Sequence, residues 1–80
     1  MSDPTIDGRV RAILSQVLGV PPDAIGPGFS SESNPEWTSL AHLMLISQIE
    51  NEFGVTFGSK EISELTSLDR LTAAVTARGA

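Results

Sequence analysis

Ser39 and His42 are the residues of this chain that come nearest to chemistry by type and spacing. They stand three apart at the head of an apolar segment. In a hydrolase, His42 would serve Ser39 as base, but nothing in the sequence marks an acid to orient the imidazole. There is one histidine and no cysteine. Without a second nitrogen or sulfur ligand the scattered carboxylates do not make a metal site, and cysteine nucleophiles and disulfides are excluded. Gly26-Pro27-Gly28 has the composition of a turn, not of a phosphate-cradling loop. No catalytic constellation is visible in the sequence.

Length and charge narrow the classes further. Eighty residues make one small domain, and 40% apolar content is enough for one core. A deep pocket with a lid and a catalytic framework needs more chain. Five basic against ten acidic side chains leave a net charge of −5, the wrong sign for a nucleic-acid backbone or an anionic membrane surface. No run approaches the roughly 20 apolar residues of a membrane span, and the N-terminus lacks the basic and apolar regions of a signal peptide. The expected location is the cytoplasm, which also suits a chain free of cysteine. The start at Met1, with helical pattern close behind, suits a freestanding protein, with an excised domain as the alternative, and a monomer is expected.

The acidity is uneven. Glu32, Glu36, Glu50, Glu52, Glu61 and Glu64 face Lys60 alone within 32–64. The rest of the chain is balanced, so the middle segment carries the whole net charge. Either a partner surface or ordinary solvated helix faces would produce that count.

Four helices must position Ser39. Ile6, Val10, Ile13, Leu14 and Val17 make one helical stripe. Asp3 is the expected N-cap with Pro4 at the first helical position, and Gly19 closes the helix before Pro21-Pro22. The first helix thus spans about Pro4 to Leu18. Residues 19–38 form a long loop, punctuated by Pro21, Pro22, Gly26, Pro27, Gly28 and Pro35 and anchored by Val20, Ile25, Phe29 and Trp37. The second helix runs from Ser39 to Phe53 and stops at Gly54. On a wheel of about 100° per residue, Leu45, Ile46, Ile49 and Phe53 share one face with His42. Leu40, Leu43 and Met44 lie opposite. Both faces could be buried, as in a central helix, or the second could dock a partner. Residues 59–65 form a brief third helix with Ile62 and Leu65 inward. Thr66-Ser67-Leu68-Asp69 has the capping-box pattern. A fourth helix then presents Leu68, Leu71 and Val75 and ends near Gly79. The fold class is all-α, a four-helix bundle with a long first loop and a short third helix.

Ser39, taken alone, reads as an ordinary N-cap serine. In its surroundings it reads otherwise. Trp37-Thr38-Ser39-Leu40, followed at fixed spacing by Glu50-Asn51-Glu52-Phe53-Gly54-Val55, resembles the acyl carrier proteins. Their hallmark is Asp-Ser-Leu opening helix two, with a Glu-rich turn, Phe and Gly closing it. Val10, Ile13-Leu14 and Leu18-Gly19-Val20 look like that family's first helix. Phe57, Ile62 and Leu65-Thr66-Ser67-Leu68 look like its third helix and the start of its fourth. The resemblance covers nearly the whole chain, with Phe29 nearer Ile25 and further from Ser39 than is usual.

The resemblance implies a four-helix bundle of acyl-carrier type and a function the chain does not perform alone. Ser39 would accept 4′-phosphopantetheine from coenzyme A, transferred by a separate Mg²⁺-dependent phosphopantetheinyl transferase. The arm's thiol would hold acyl or aminoacyl groups as thioesters for acyl-loading, condensing or transferring enzymes. The docking face would comprise Leu40, Leu43, Met44, Ser47 and Asn51, with Glu50 at its edge. His42, Ile62 and Leu65 would border an acyl pocket. Thr38 replaces the family's Asp, and Ala41 and Met44 stand at commonly acidic positions. The face is greasier and less charged than usual, which implies weaker electrostatic steering and more apolar contact. That favours a dedicated partner set, as in secondary metabolism (polyketide or nonribosomal peptide) or envelope-lipid assembly, over housekeeping fatty acid synthesis. The rival expectation is an unmodified adaptor that uses the apolar face of helix two.

Overall fold

A computed structural model describes residues 5–79. Four helices, α1 (Ile6–Leu18), α2 (Ser39–Phe53), α3 (Ser59–Glu64) and α4 (Leu68–Ala77), follow one another with no strand among the described residues. Two single 3₁₀ turns, Pro22–Ala24 and Ser31–Ser33, break the long loop.

The helix ends follow from local chemistry. Thr5 caps α1, its hydroxyl accepting the Gly8 N–H at 3.0 Å. The helix therefore starts at Ile6, and the expected Asp3 cap and Pro4 lie outside the described residues. Gly19 and Gly54 close α1 and α2 at φ of 70° and 65°, left-handed values that a side chain resists and glycine does not. The capping box expected at Thr66 does not form. Ser67 is the cap of α4, accepting from the Arg70 N–H at 3.1 Å, and the N3 residue is thus Arg70 rather than Asp69. The reason is tertiary. The Thr66 carbonyl accepts from Ser31 N–H and the Phe29 carbonyl accepts from Leu68 N–H, each at 2.9 Å. That antiparallel clasp engages Thr66 and leaves the extended Ser67 as the cap, one position later.

One cluster of buried side chains draws on α1, α2, α4, the long loop and the segments flanking α3: Val10, Leu14, Leu45, Ile49, Leu65, Leu71 and Val75 with Ile25, Phe29, Trp37 and Phe57. α1 packs against both α2 and α4. Ile25, Phe29 and Trp37 hold the loop across the bundle, as its apolar anchors predict. No helix is long and apolar enough to cross a membrane.

α2 settles the question its two apolar faces posed. Leu45, Ile46 and Ile49 are buried, whereas Leu40, Leu43 and Met44 are 69%, 61% and 49% exposed. The second face is solvent-exposed. Met44→Glu should accordingly change stability by no more than about 0.5 kcal/mol, a value that chemical denaturation of the two proteins will check. If the face docks a partner, the same change weakens that complex in titration.

Candidate functional site

Ser39 is the first residue of α2, and the cap is Thr38. Thr38 is extended, its hydroxyl accepts the Ala41 N–H at 3.1 Å, and its carbonyl accepts the His42 N–H at 2.8 Å. Thr38 thus performs the capping that Asp at the same position could equally perform, and only the negative charge is absent. Ser39 is left free of that duty. It is exposed, and its hydroxyl meets no hydrogen-bond partner among the described residues.

The helix end suits an anion. The first turn of α2 holds no acidic side chain. The Ser39 and Leu40 amides come before the first intrahelical bonds, and the macrodipole adds partial positive charge there. A phosphodiester on the Ser39 oxygen would sit where the backbone stabilises it by about 0.3–1 kcal/mol. The residues present fit such a group.

Beside Ser39 lies a cleft of about 420 Å³ between the loop, α2 and α3, within the range of roughly 300–1,000 Å³ for small-molecule sites. Trp37, His42, Leu43 and Ile62 line it, together with hydroxyl-bearing residues of the loop and α3. Of the three residues expected at an acyl pocket, His42 and Ile62 meet here. Leu65 does not line the cleft; it is buried in the core, because α3 ends at Glu64 and Leu65 turns in beneath it.

His42 spans the cleft. The Trp37 indole N–H donates to His42 Nδ1 at 3.0 Å, and His42 Nε2 lies 2.7 Å from the Ile62 carbonyl. An indole nitrogen only donates and a carbonyl only accepts. The neutral ring therefore carries its hydrogen on Nε2, donating to Ile62. Both nitrogens are engaged, which is why His42 does not act as a base for Ser39 in this arrangement. His42 is half-buried and hydrogen-bonded at both ring nitrogens. Phe29 and the His42 ring flank Trp37, with centroids 6.0 Å and 6.1 Å away.

The expected docking residues divide. Leu40, Leu43, Met44, Ser47 and Asn51 are exposed on one face. Glu50 is half-buried and turned toward the α2–α3 turn, where Oε2 accepts the Phe57 N–H at 2.8 Å. Its own carbonyl accepts from Gly54 and Val55 N–H. Glu50 thus holds the turn that places α3. Losing a hydrogen bond to a charged group costs about 1.5–3 kcal/mol, and Glu50→Ala should lower the unfolding free energy by about that much in urea titration.

The acidic segment is partly neutralised in space. Arg9 pairs with Glu52 at 2.8 Å and lies 4.4 Å over the Phe53 ring. Arg78 pairs with Glu61 and lies 4.8 Å over the Phe57 ring. Two arginines from the charge-balanced flanks therefore cover two of the six middle glutamates, which the linear count does not show.

Ser31, Ser59, Ser63 and Thr66 also line the cleft, and the sequence carries no signal for them. They come from the loop, from α3 and from the α3–α4 junction, which the clasp, the Glu50–Phe57 bond and the His42–Ile62 bond together bring beside Ser39. No group of three or more metal-ligating side chains occurs among the described residues. No protein-family model matches the chain. What fold and site define is a small all-α domain presenting an exposed serine, Ser39, as the first residue of its longest helix beside a cleft.

Proposed function

We propose that this protein is a carrier of acyl-carrier type, modified with 4′-phosphopantetheine on Ser39 and passing acyl or aminoacyl thioesters between biosynthetic enzymes. The observation that carries the reading is Ser39 itself. It is an exposed serine relieved of capping by Thr38, on an acid-free helix end, at the wall of a cleft.

In the modification the Ser39 oxygen bonds to the pantetheine-side phosphorus of coenzyme A. The pyrophosphate bridge breaks, 3′,5′-ADP leaves, and the hydroxyl proton passes to a base of the transferase. When attached, the arm supplies a thiol, which this cysteine-free chain lacks. The chain's own residues hold the serine at the helix end, present Leu40, Leu43 and Met44 to a visiting enzyme, and offer the cleft. The apolar character of that face supports dedicated partners in secondary metabolism rather than housekeeping fatty acid synthesis. The test is incubation with coenzyme A, Mg²⁺ and a promiscuous transferase, read by intact mass. A gain of one phosphopantetheine unit is expected, and no gain would remove the reading.

The exposure of Leu40, Leu43 and Met44 also favours a second reading, an unmodified adaptor that binds through this face. The adaptor would bind its partner without modification and equally well as Ser39→Ala.

A further inference from the structure

α3 walls one side of the cleft through Ser59, Ile62 and Ser63, yet the core does not hold it. None of its six residues is buried, and its cap, Gly58, makes no side-chain bond to the helix. The buried anchors lie outside it, at Phe57 and Leu65. A helix this short falls well below the roughly 12–15 residues at which an isolated helix is marginal in water. Side chains from other elements must therefore fix it. On the cleft side, the Ile62 carbonyl accepts from His42 Nε2 at 2.7 Å. Glu61, the residue before, does not line the cleft, and its carboxylate is taken by Arg78, which closes α4. Arg70 adds a bond to the Glu64 carbonyl at 3.2 Å, at the helix end.

Arg78 does more than pair with Glu61. Its Nε donates to the Thr56 carbonyl at 3.0 Å, and its guanidinium lies 4.8 Å from the Phe57 ring centroid. One side chain thus grips the α2–α3 turn and the middle of α3 together. Arg9 makes the same three kinds of contact elsewhere. It bonds the Glu52 carboxylate, donates to the Glu52 carbonyl at 3.3 Å, and lies 4.4 Å over the Phe53 ring. Those partners all belong to α2 and not to α3.

We propose that Arg78 is a positioning residue for the cleft, a latch outside it that holds α3 against His42 and so fixes the His42–Trp37 pair. The contacts run from Arg78 to Glu61, along the backbone to the Ile62 carbonyl, and on through both ring nitrogens of His42 to the Trp37 indole. Without Arg78, α3 keeps only Arg70, His42 and its flanking anchors, and it opens locally more often. Each opening takes the Ile62 carbonyl from His42 Nε2. The imidazole then loses the partner that sets its tautomer, and the Trp37 N–H at Nδ1 registers the loss. The end of α4 is thereby coupled to the residues beside Ser39. The proposal goes beyond the carrier reading and stands whatever Ser39 bears.

Trp37 is the single tryptophan, so its indole N–H gives one resonance. That signal and amide exchange are compared in the native protein, Arg78→Gln, Glu61→Gln and the double variant, with Arg9→Gln as the control. Arg78→Gln should shift the indole signal and speed exchange of the Ile62 and Leu65 amides by about tenfold relative to those of α1. Glu61→Gln should shift the signal the same way by less, since Arg78 keeps Thr56 and Phe57. The double variant should match Arg78→Gln. Arg9→Gln loses an equivalent set of contacts and should leave the indole signal in place. An equal shift in Arg9→Gln would mean general loosening and overturn the latch. So would an indole signal unchanged in both Arg78→Gln and Glu61→Gln. If Arg78→Gln does not fold, the Glu61→Gln signal measured against Arg9→Gln decides.

Discussion

Ser39→Ala is expected to fold as the native protein does and to gain no mass on incubation with coenzyme A, Mg²⁺ and transferase. The two halves of that result have separate causes. Stability is kept because Ser39 does not cap α2; it is exposed, and alanine is the best helix former at such a position. The modification is lost because the neighbouring hydroxyl at that helix end, Thr38, is held in the cap by the Ala41 N–H. Thr38→Ala should show the opposite pattern. Its hydroxyl holds the Ala41 N–H, and removing an N-cap costs about 0.5–2 kcal/mol. If Ser39 were an ordinary cap, the two substitutions would exchange their effects on Tm. Mass gain that survives Ser39→Ala would place the attachment elsewhere and defeat the carrier reading as stated.

Ile49→Ala is expected to cost about 2–5 kcal/mol. Ile49 is fully buried in the core cluster. Deleting three carbons there removes apolar burial and leaves a cavity that the helices close only partly. For 80 residues the whole stability is on the order of 4–12 kcal/mol, so this one change removes a large part of it. Tm should fall by roughly 10 °C or more. The comparison with Met44→Glu is the sharper measurement, since both positions lie on α2. A small loss at Ile49 together with a large loss at Met44 would reverse the assignment of the two faces.

Much of the fold is legible in the residues. Ile6, Val10, Ile13, Leu14 and Val17 repeat at helical spacing, and Gly19 stands where α1 must stop. Leu45, Ile46 and Ile49 separate from Leu40, Leu43 and Met44 by angle alone. These features are local, because a helix satisfies its own backbone and its stripe needs only neighbours a turn away. The boundaries that failed are those set from a distance. The capping pattern at Thr66 is present in the sequence, but the Thr66 carbonyl is engaged by Ser31 and the cap passes to Ser67. Glu50 falls at the edge of the exposed face by angle, yet its long side chain reaches back to Phe57 N–H. A wheel records where a side chain leaves the helix and not where it ends.

The sequence by itself determined the helical class, the two-faced character of α2, the net charge, and the prominence of Ser39 at the head of an apolar helix. Each depends on residue type and short spacing. Tertiary structure alone decided that His42 is held by the Ile62 carbonyl on the far side of its ring. It decided that Arg9 and Arg78 cover two glutamates of the acidic segment, and that hydroxyls from residues 31, 59, 63 and 66 meet beside residue 39. The physical reason is the same for each. A hydrogen bond or ion pair between residues far apart in the chain forms only where packing of the apolar core has first brought their backbones together, and no local pattern encodes that meeting.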